Sequence, residues 1–134
     1  MHQIRWYNTD QTIIICEFDE PLTWEAFHHG IDAMHQAIRT KDDAVIAIIV
    51  PQGDLPKGNP ITQFRSAANR QPKNLARIIA VNPNLDTPTG KFILILTSVL
   101  EKITRDKVML TETLEKAVEA ATIELKKVST PNAP

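Results

Sequence analysis

Residues 45–50 read VIAIIV and residues 13–15 read III, so both stretches are apolar at odd and at even positions. A strand with one face in water alternates apolar and polar residues, whereas a strand covered on both faces shows no such alternation. The surrounding runs 12–18, 44–50 and 76–81 are each followed by a turn and an amphipathic segment. This order predicts an α/β domain with a largely parallel sheet and helices on both faces.

The same lack of alternation predicts which side chains form the core. We expect burial of eight aliphatic residues, namely Ile13, Ile15, Val45, Ile46, Ile48, Ile49, Ile78 and Ile79. The single cysteine, Cys16, lies within the first run, where a buried and unreactive thiol is expected.

Charge, cysteine content and hydropathy narrow the class of protein. The chain has 134 residues and a net charge of -1, from 15 Lys and Arg against 16 Asp and Glu, which disfavours a nucleic-acid partner. One cysteine cannot form an internal disulfide, and the apolar runs are far shorter than the ~20 residues that span a bilayer. We therefore expect one soluble cytoplasmic domain over residues 1–128, with a flexible tail over 129–134.

The N-terminal half is predicted to begin with a β-hairpin. A polar turn at residues 8–11 separates strands at 2–7 and 12–18, and Thr23 is a natural N-cap for the following helix. Apolar residues at helical spacing define the buried face of this first helix: Trp24, Phe27, Ile31, Met34 and Ile38. We expect Trp24 to be part of the core.

The C-terminal half is predicted to continue the alternation of helices and strands. Asn59 followed by Pro60 is typical of a helix start, and this second helix is predicted to run to about residue 71 with Ile61, Phe64 and Ala68 facing inward. A fourth strand follows at 75–81, then a helix that begins at Thr87 and runs to about residue 102. A short edge strand at 107–110 and a last helix capped by Thr111 complete the predicted order.

Catalytic and metal-binding patterns are missing from the sequence. His28 and His35 lie seven residues apart on the first helix, which separates them by ~10 Å along its axis and prevents chelation of one zinc ion. With Asp32 and Arg39 they are predicted to form a solvated polar flank in which Asp32 is paired. Neither a Gly-x-Ser-x-Gly elbow nor a Gly-x-Gly-x-x-Gly loop occurs. We expect no metal, no cofactor and no catalytic activity. The alternative, an enzyme with His28 or His35 as general base, needs a neighbouring acid or nucleophile that the spacing does not show.

A binding site is predicted where two loops lead into helices. The loops 51–59 and 82–87 both follow parallel-type strands, and free N–H groups at a helix start favour anions. The predicted ligand-binding or partner-binding residues are Lys57, Gly58, Asn59, Thr62, Asn82, Asn84 and Thr87. In an alternative interpretation, Asn59 and Thr87 only cap their helices.

The order β-β-α-β-α-β-α-β-α resembles the SpoIIAA-like, or STAS, fold of anti-sigma-factor antagonists. The resemblance covers residues 2–128 and is most specific at 12–18, 22–24, 44–50, 55–58 and 73–75, which are similar to stand-alone STAS-like proteins of bacteria. It implies a non-catalytic regulatory or protein-interaction module that docks a partner through the 51–62 loop and the second helix.

The resemblance leaves the occupant of the site open. Antagonists of this family carry a switch serine at the start of the helix after the third strand, but the stretch 53–60 reads GDLPKGNP and Thr62 is the nearest hydroxyl. An exposed apolar patch on the second helix would favour a protein partner. A pocket lined by Lys57, Asn59 and Thr87 would favour a small anionic or apolar ligand, as in a carrier-like domain. A homodimer is a further candidate.

Overall fold

The computed structural model describes residues 2–18, 23–50, 57–81, 91, 94–95, 97–99, 101–102 and 109–129. These residues form a five-stranded sheet of β1 (His2–Trp6), β2 (Ile13–Phe18), β3 (Val45–Val50), β4 (Leu75–Val81) and β5 (Met109–Thr111). Three helices have defined ends, namely α1 (Trp24–Arg39), α2 (Pro60–Asn69) and α3 (Leu114–Ser129). The described residues between 91 and 102 are helical as well.

The strands lie side by side in chain order, from β1 at one edge to β5 at the other. The pair β1 and β2 is antiparallel, and every following pair is parallel. In the register, Ile15 lies opposite Ile48, and Ile48 lies opposite Ile79. The predicted mostly parallel sheet with an antiparallel hairpin at its N-terminal edge is therefore confirmed.

Helices cover both faces of the sheet, as predicted. Right-handed crossovers between parallel strands in sequential order place the connecting helices on one face, and α1, α2 and Val99 pack there. The last helix, α3, covers the opposite face through Ala117 and Ala121. Seven of the eight residues predicted to form the core are at most 2 % exposed, and Ile78 is half-buried against the core.

Side-chain caps define the starts of the first two helices. The hydroxyl of Thr23 accepts a hydrogen bond from the N–H of Ala26 at 3.0 Å. The side-chain oxygen of Asn59 accepts from the N–H groups of Ile61 at 3.0 Å and Thr62 at 3.4 Å. Both predicted caps are confirmed, because a cap depends on local residue chemistry.

The predicted cap of the last helix is wrong. Thr111 belongs to β5, where it pairs with Val81, and the hydroxyl of Thr113 accepts the hydrogen bond from the N–H of Lys116 at 3.1 Å. Pairing with β4 extends the edge strand beyond its predicted end at residue 110, so the helix starts later. Residues 107 and 108, predicted as the start of this strand, lie outside the described residues.

The second helix differs from its prediction in two respects. It ends at Asn69, two residues before the predicted end, and Ile61 is 48 % exposed where burial was expected. The buried face consists of Phe64, Ala67 and Ala68, so that Ile61 lies at the border of this face. The predicted loop at 82–86, the helix start at Thr87 and the tail beyond Ser129 lie outside the described residues.

Candidate functional site

The turn before α2 is held by the first residue of α1. The indole Nε1 of Trp24 donates a hydrogen bond to the carbonyl of Lys57 at 2.8 Å. Gly58 has φ +119°, and a Cβ atom at this position would lie 3.2 Å from the same Nε1. The Trp24 ring also packs edge-on against Phe27 and Phe64, with centroid distances of 5.6 and 5.5 Å. Trp24 is thus structural, as predicted, although it is half-buried.

The candidate binding residues of this region have local structural roles. Lys57 contributes its backbone carbonyl, and the Asn59 side-chain oxygen is occupied by the cap. Thr62 is exposed in the first turn of α2. Asn82, Asn84 and Thr87 lie outside the described residues, as do residues 51–56. Within the described part of the chain, only residues 57–62 of the predicted site come together, and the crevice between the two helix starts stays a prediction.

A groove that sequence reasoning missed lies beside α2, and we call it the α2 groove. Its volume is about 260 Å³. Val99 is buried at its floor, whereas Ile61 and Leu94 are 48 % and 44 % exposed at its borders. The described residues that line it are Ile61, Arg65, Leu94, Ile95, Ser98, Val99 and Lys102. The groove therefore combines an apolar floor with two half-exposed apolar side chains.

Among the described residues that line the α2 groove, the two charged ones are both cations. Arg65 and Lys102 are exposed, and neither forms a salt bridge with another residue that the structure describes. The sequence of α2, PITQFRSAAN, contains no acidic residue that could neutralise Arg65 from the same helix. The groove consequently presents positive charge without a carboxylate partner from the described residues.

A polar cluster fastens α2 to α1 on the other side of α2. The guanidinium of Arg70 donates to Asp32 at 3.1 Å, to Ser66 at 2.7 Å and to Nδ1 of His28 at 3.0 Å. Because a guanidinium can only donate, Nδ1 accepts and Nε2 of His28 carries the proton, which it donates to Gln63 at 2.6 Å. The predicted pairing of Asp32 is confirmed, and both ring nitrogens of His28 are engaged.

His35 does not belong to a solvated flank, so that prediction is wrong. It is 2 % exposed, because the buried face of α1 is wider than its apolar stripe. Burial lowers the pKa of His35 to about 4, and the positive charge of Arg39 contributes in the same direction. Nδ1 of His35 and Oε1 of Gln71 are buried without a hydrogen-bond partner among the described residues, and both residues line a cavity of about 20 Å³.

The thiol of Cys16 is buried in β2. Burial, together with the charge of Glu17, raises the pKa of Cys16 to about 12, so the thiolate does not form near neutral pH. The described residues contain no group of three or more His, Cys, Asp or Glu side chains that could hold a metal ion. They also contain no helix long and apolar enough to cross a bilayer.

Comparison of the chain with protein-family models, curated proteins and solved structures gave no match. The SpoIIAA-like resemblance is therefore a prediction from the sequence, and the structure supports its coarser content, an α/β fold with one antiparallel pair in a mostly parallel sheet.

Proposed function

We propose that this chain is a non-catalytic binding module of the STAS-like type, which docks a protein partner on α2 and in the α2 groove. The observation that supports this proposal is the half-exposure of Ile61 and Leu94 on the two borders of one concave apolar surface. Single exposed apolar residues are common on protein surfaces, whereas apolar residues grouped around a groove mark interaction sites. The sequence-based prediction likewise assigns docking to the second helix.

The state of the reactive side chains favours binding over catalysis. A general base needs a free nitrogen or oxygen near its substrate, but both ring nitrogens of His28 are hydrogen-bonded and His35 is buried. A nucleophilic cysteine needs an accessible thiolate, which the burial of Cys16 prevents. The side chains of His28, His35 and Cys16 are thus engaged in structure.

A small-molecule ligand is the second candidate, and the concave shape of the α2 groove is the observation in its favour. Pockets for drug-sized ligands typically have volumes of roughly 300–1,000 Å³. The α2 groove, at about 260 Å³, lies below this range, and two of its lining residues, Ile61 and Leu94, are half-exposed. A groove of this kind suits the anchoring side chains of a protein better than an enclosed cofactor.

Peptide display tests the proposed function. Peptides are selected on the immobilised wild-type protein and then assayed on Ile61→Glu and Leu94→Glu, which place a charge at the borders of the α2 groove. Leu110→Glu and Ile123→Glu are matched controls, because these residues are similarly exposed, at 43 % and 56 %, outside the α2 groove.

We expect a class of selected peptides that lose about tenfold or more in affinity for both groove variants, which corresponds to ~1.4 kcal/mol. The same peptides should bind both control variants like the wild type. Circular dichroism of all four variants verifies that they are folded. The proposal is wrong if no selected peptide depends on Ile61 and Leu94.

A further inference from the structure

We infer that the partner segment docked in the α2 groove is an acidic peptide with apolar anchors. In this arrangement, one or two large apolar side chains fill the floor, and aspartates or glutamates next to them pair with Arg65 and Lys102. This inference rests on the proposed function and adds the chemistry of the partner.

The size of the α2 groove sets the number of anchors. A volume of about 260 Å³ holds roughly nine groups of the size of a water molecule, at ~30 Å³ each. This space accommodates one or two leucine-sized or phenylalanine-sized side chains. Contact with Ile61 and Leu94 at the borders then removes further apolar surface from water, which is the main source of favourable free energy in such an interface.

The positive charges in the α2 groove favour negatively charged residues next to the apolar anchors of the partner. Several other arginines already have a carboxylate partner, such as Arg5 with Glu17 at 2.7 Å and Arg70 with Asp32 at 3.1 Å. Arg65 and Lys102 have none among the described residues. A carboxylate of the partner would form a charge-assisted hydrogen bond that becomes stronger as the apolar anchors exclude water. A basic segment would instead place like charges next to each other.

The topology indicates how apolar and charged contacts are arranged. Both α2 and the helical residues between 91 and 102 connect parallel strands on the same face of the sheet, so they run in the same direction. In each of them the apolar border residue precedes the cation, Ile61 before Arg65 and Leu94 before Lys102. The two cations therefore lie towards one end of the α2 groove and the two exposed apolar residues towards the other. A partner helix fits this arrangement if its acidic residues lie towards one end and its apolar anchors towards the other.

The probes for this inference are peptides from the display experiment whose binding depends on Ile61 and Leu94. We expect them to carry net negative charge together with leucine, isoleucine or phenylalanine. Replacing their acids by lysine should weaken binding to the wild-type protein by about tenfold or more. Arg65→Glu and Lys102→Glu should each weaken binding of the acidic peptides to a similar extent, and Lys73→Glu, which changes an exposed lysine outside the α2 groove, should leave it unchanged.

The possible outcomes separate this inference from the proposed function. Groove-dependent peptides that are neutral or basic, or that tolerate Arg65→Glu and Lys102→Glu, overturn the inference and leave the proposed function intact. The absence of any groove-dependent peptide overturns both. If no peptide binds but decanoate shifts the NMR signals of Leu94 and Val99, a small amphipathic ligand replaces the peptide as the occupant, and the inference is wrong.

Discussion

The indole of Trp24, the first residue of α1, donates a hydrogen bond of 2.8 Å to the carbonyl of Lys57, just before α2 begins. This contact joins the starts of two helices that are far apart in the sequence. It also brings the ring against Gly58, whose φ of +119° is rarely adopted by residues with a side chain. The position of α2, and hence of one side of the α2 groove, depends on this contact.

Gly58→Ala should destabilise the protein by about 1–3 kcal/mol, because the new Cβ atom meets the Trp24 ring and the backbone conformation is strained. Urea denaturation measures this change. Lys57→Ala is the matched control, because Lys57 contributes through its backbone, and its effect should stay within ~0.5 kcal/mol. Equal midpoints for Gly58→Ala and the wild type would contradict the proposed role of this glycine.

Trp24→Ala should lower the free energy of unfolding by about 3 kcal/mol or more, because the ring packs against both Phe27 and Phe64. Trp24→Phe retains an aromatic ring but lacks the donor to Lys57, so a smaller loss of about 1 kcal/mol is expected. Urea titrations of the two variants separate the contribution of packing from that of the hydrogen bond. An unchanged midpoint for Trp24→Ala would show that the ring is not structural.

The free energy of unfolding should decrease as the pH falls, because His35 is buried in its neutral form. Its pKa is lowered from 6.5 to about 4 in the folded state, so the unfolded chain binds the proton first. The neutral imidazole contributes fully to the free energy of unfolding above the pKa that His35 has in the unfolded chain. This contribution is lost progressively between about pH 6.5 and pH 4. At ~1.36 kcal/mol per pKa unit, the loss amounts to about 3 kcal/mol.

Denaturation of the wild type and of His35→Leu across this pH range measures the effect as the difference between the two profiles. His29→Gln is the control, because His29 is exposed on the same helix. We expect the His29→Gln profile to follow that of the wild type, while His35→Leu loses less stability on acidification. Parallel profiles for wild type and His35→Leu would refute the assignment.

Arg70→Lys should loosen the end of α2 from α1, because an ammonium group cannot reproduce the fork of contacts to Asp32, Ser66 and His28. Hydrogen exchange of the backbone amides in the last turn of α2 should become faster. Arg65→Lys is a matched control on the same helix, where the arginine has no ion-pair partner among the described residues.

Nitrogen-15 NMR of the His28 ring gives an independent measurement for this cluster. In the wild type it should show the tautomer with the proton on Nε2, because Nδ1 accepts from Arg70. Finding the proton on Nδ1 would contradict the hydrogen-bond arrangement.

Much of the fold was determined by local sequence. The runs without alternation around Ile14 and Ala47 predicted covered strands, and Thr23 and Asn59 predicted helix starts, because strand burial and capping depend on the chemistry of neighbouring residues. The fourth strand, β4, also has the bounds that were predicted from the sequence.

Other features were decided only by tertiary structure, because they depend on how distant segments pack. Because β5 pairs with β4, the cap of the last helix is Thr113 and not Thr111. His35 is buried because of the depth at which α1 packs on the sheet. The candidate site shows the same limit. Arg65 and Lys102 carry no shared sequence signal, and they line one groove because parallel crossovers place their helical segments on the same face of the sheet.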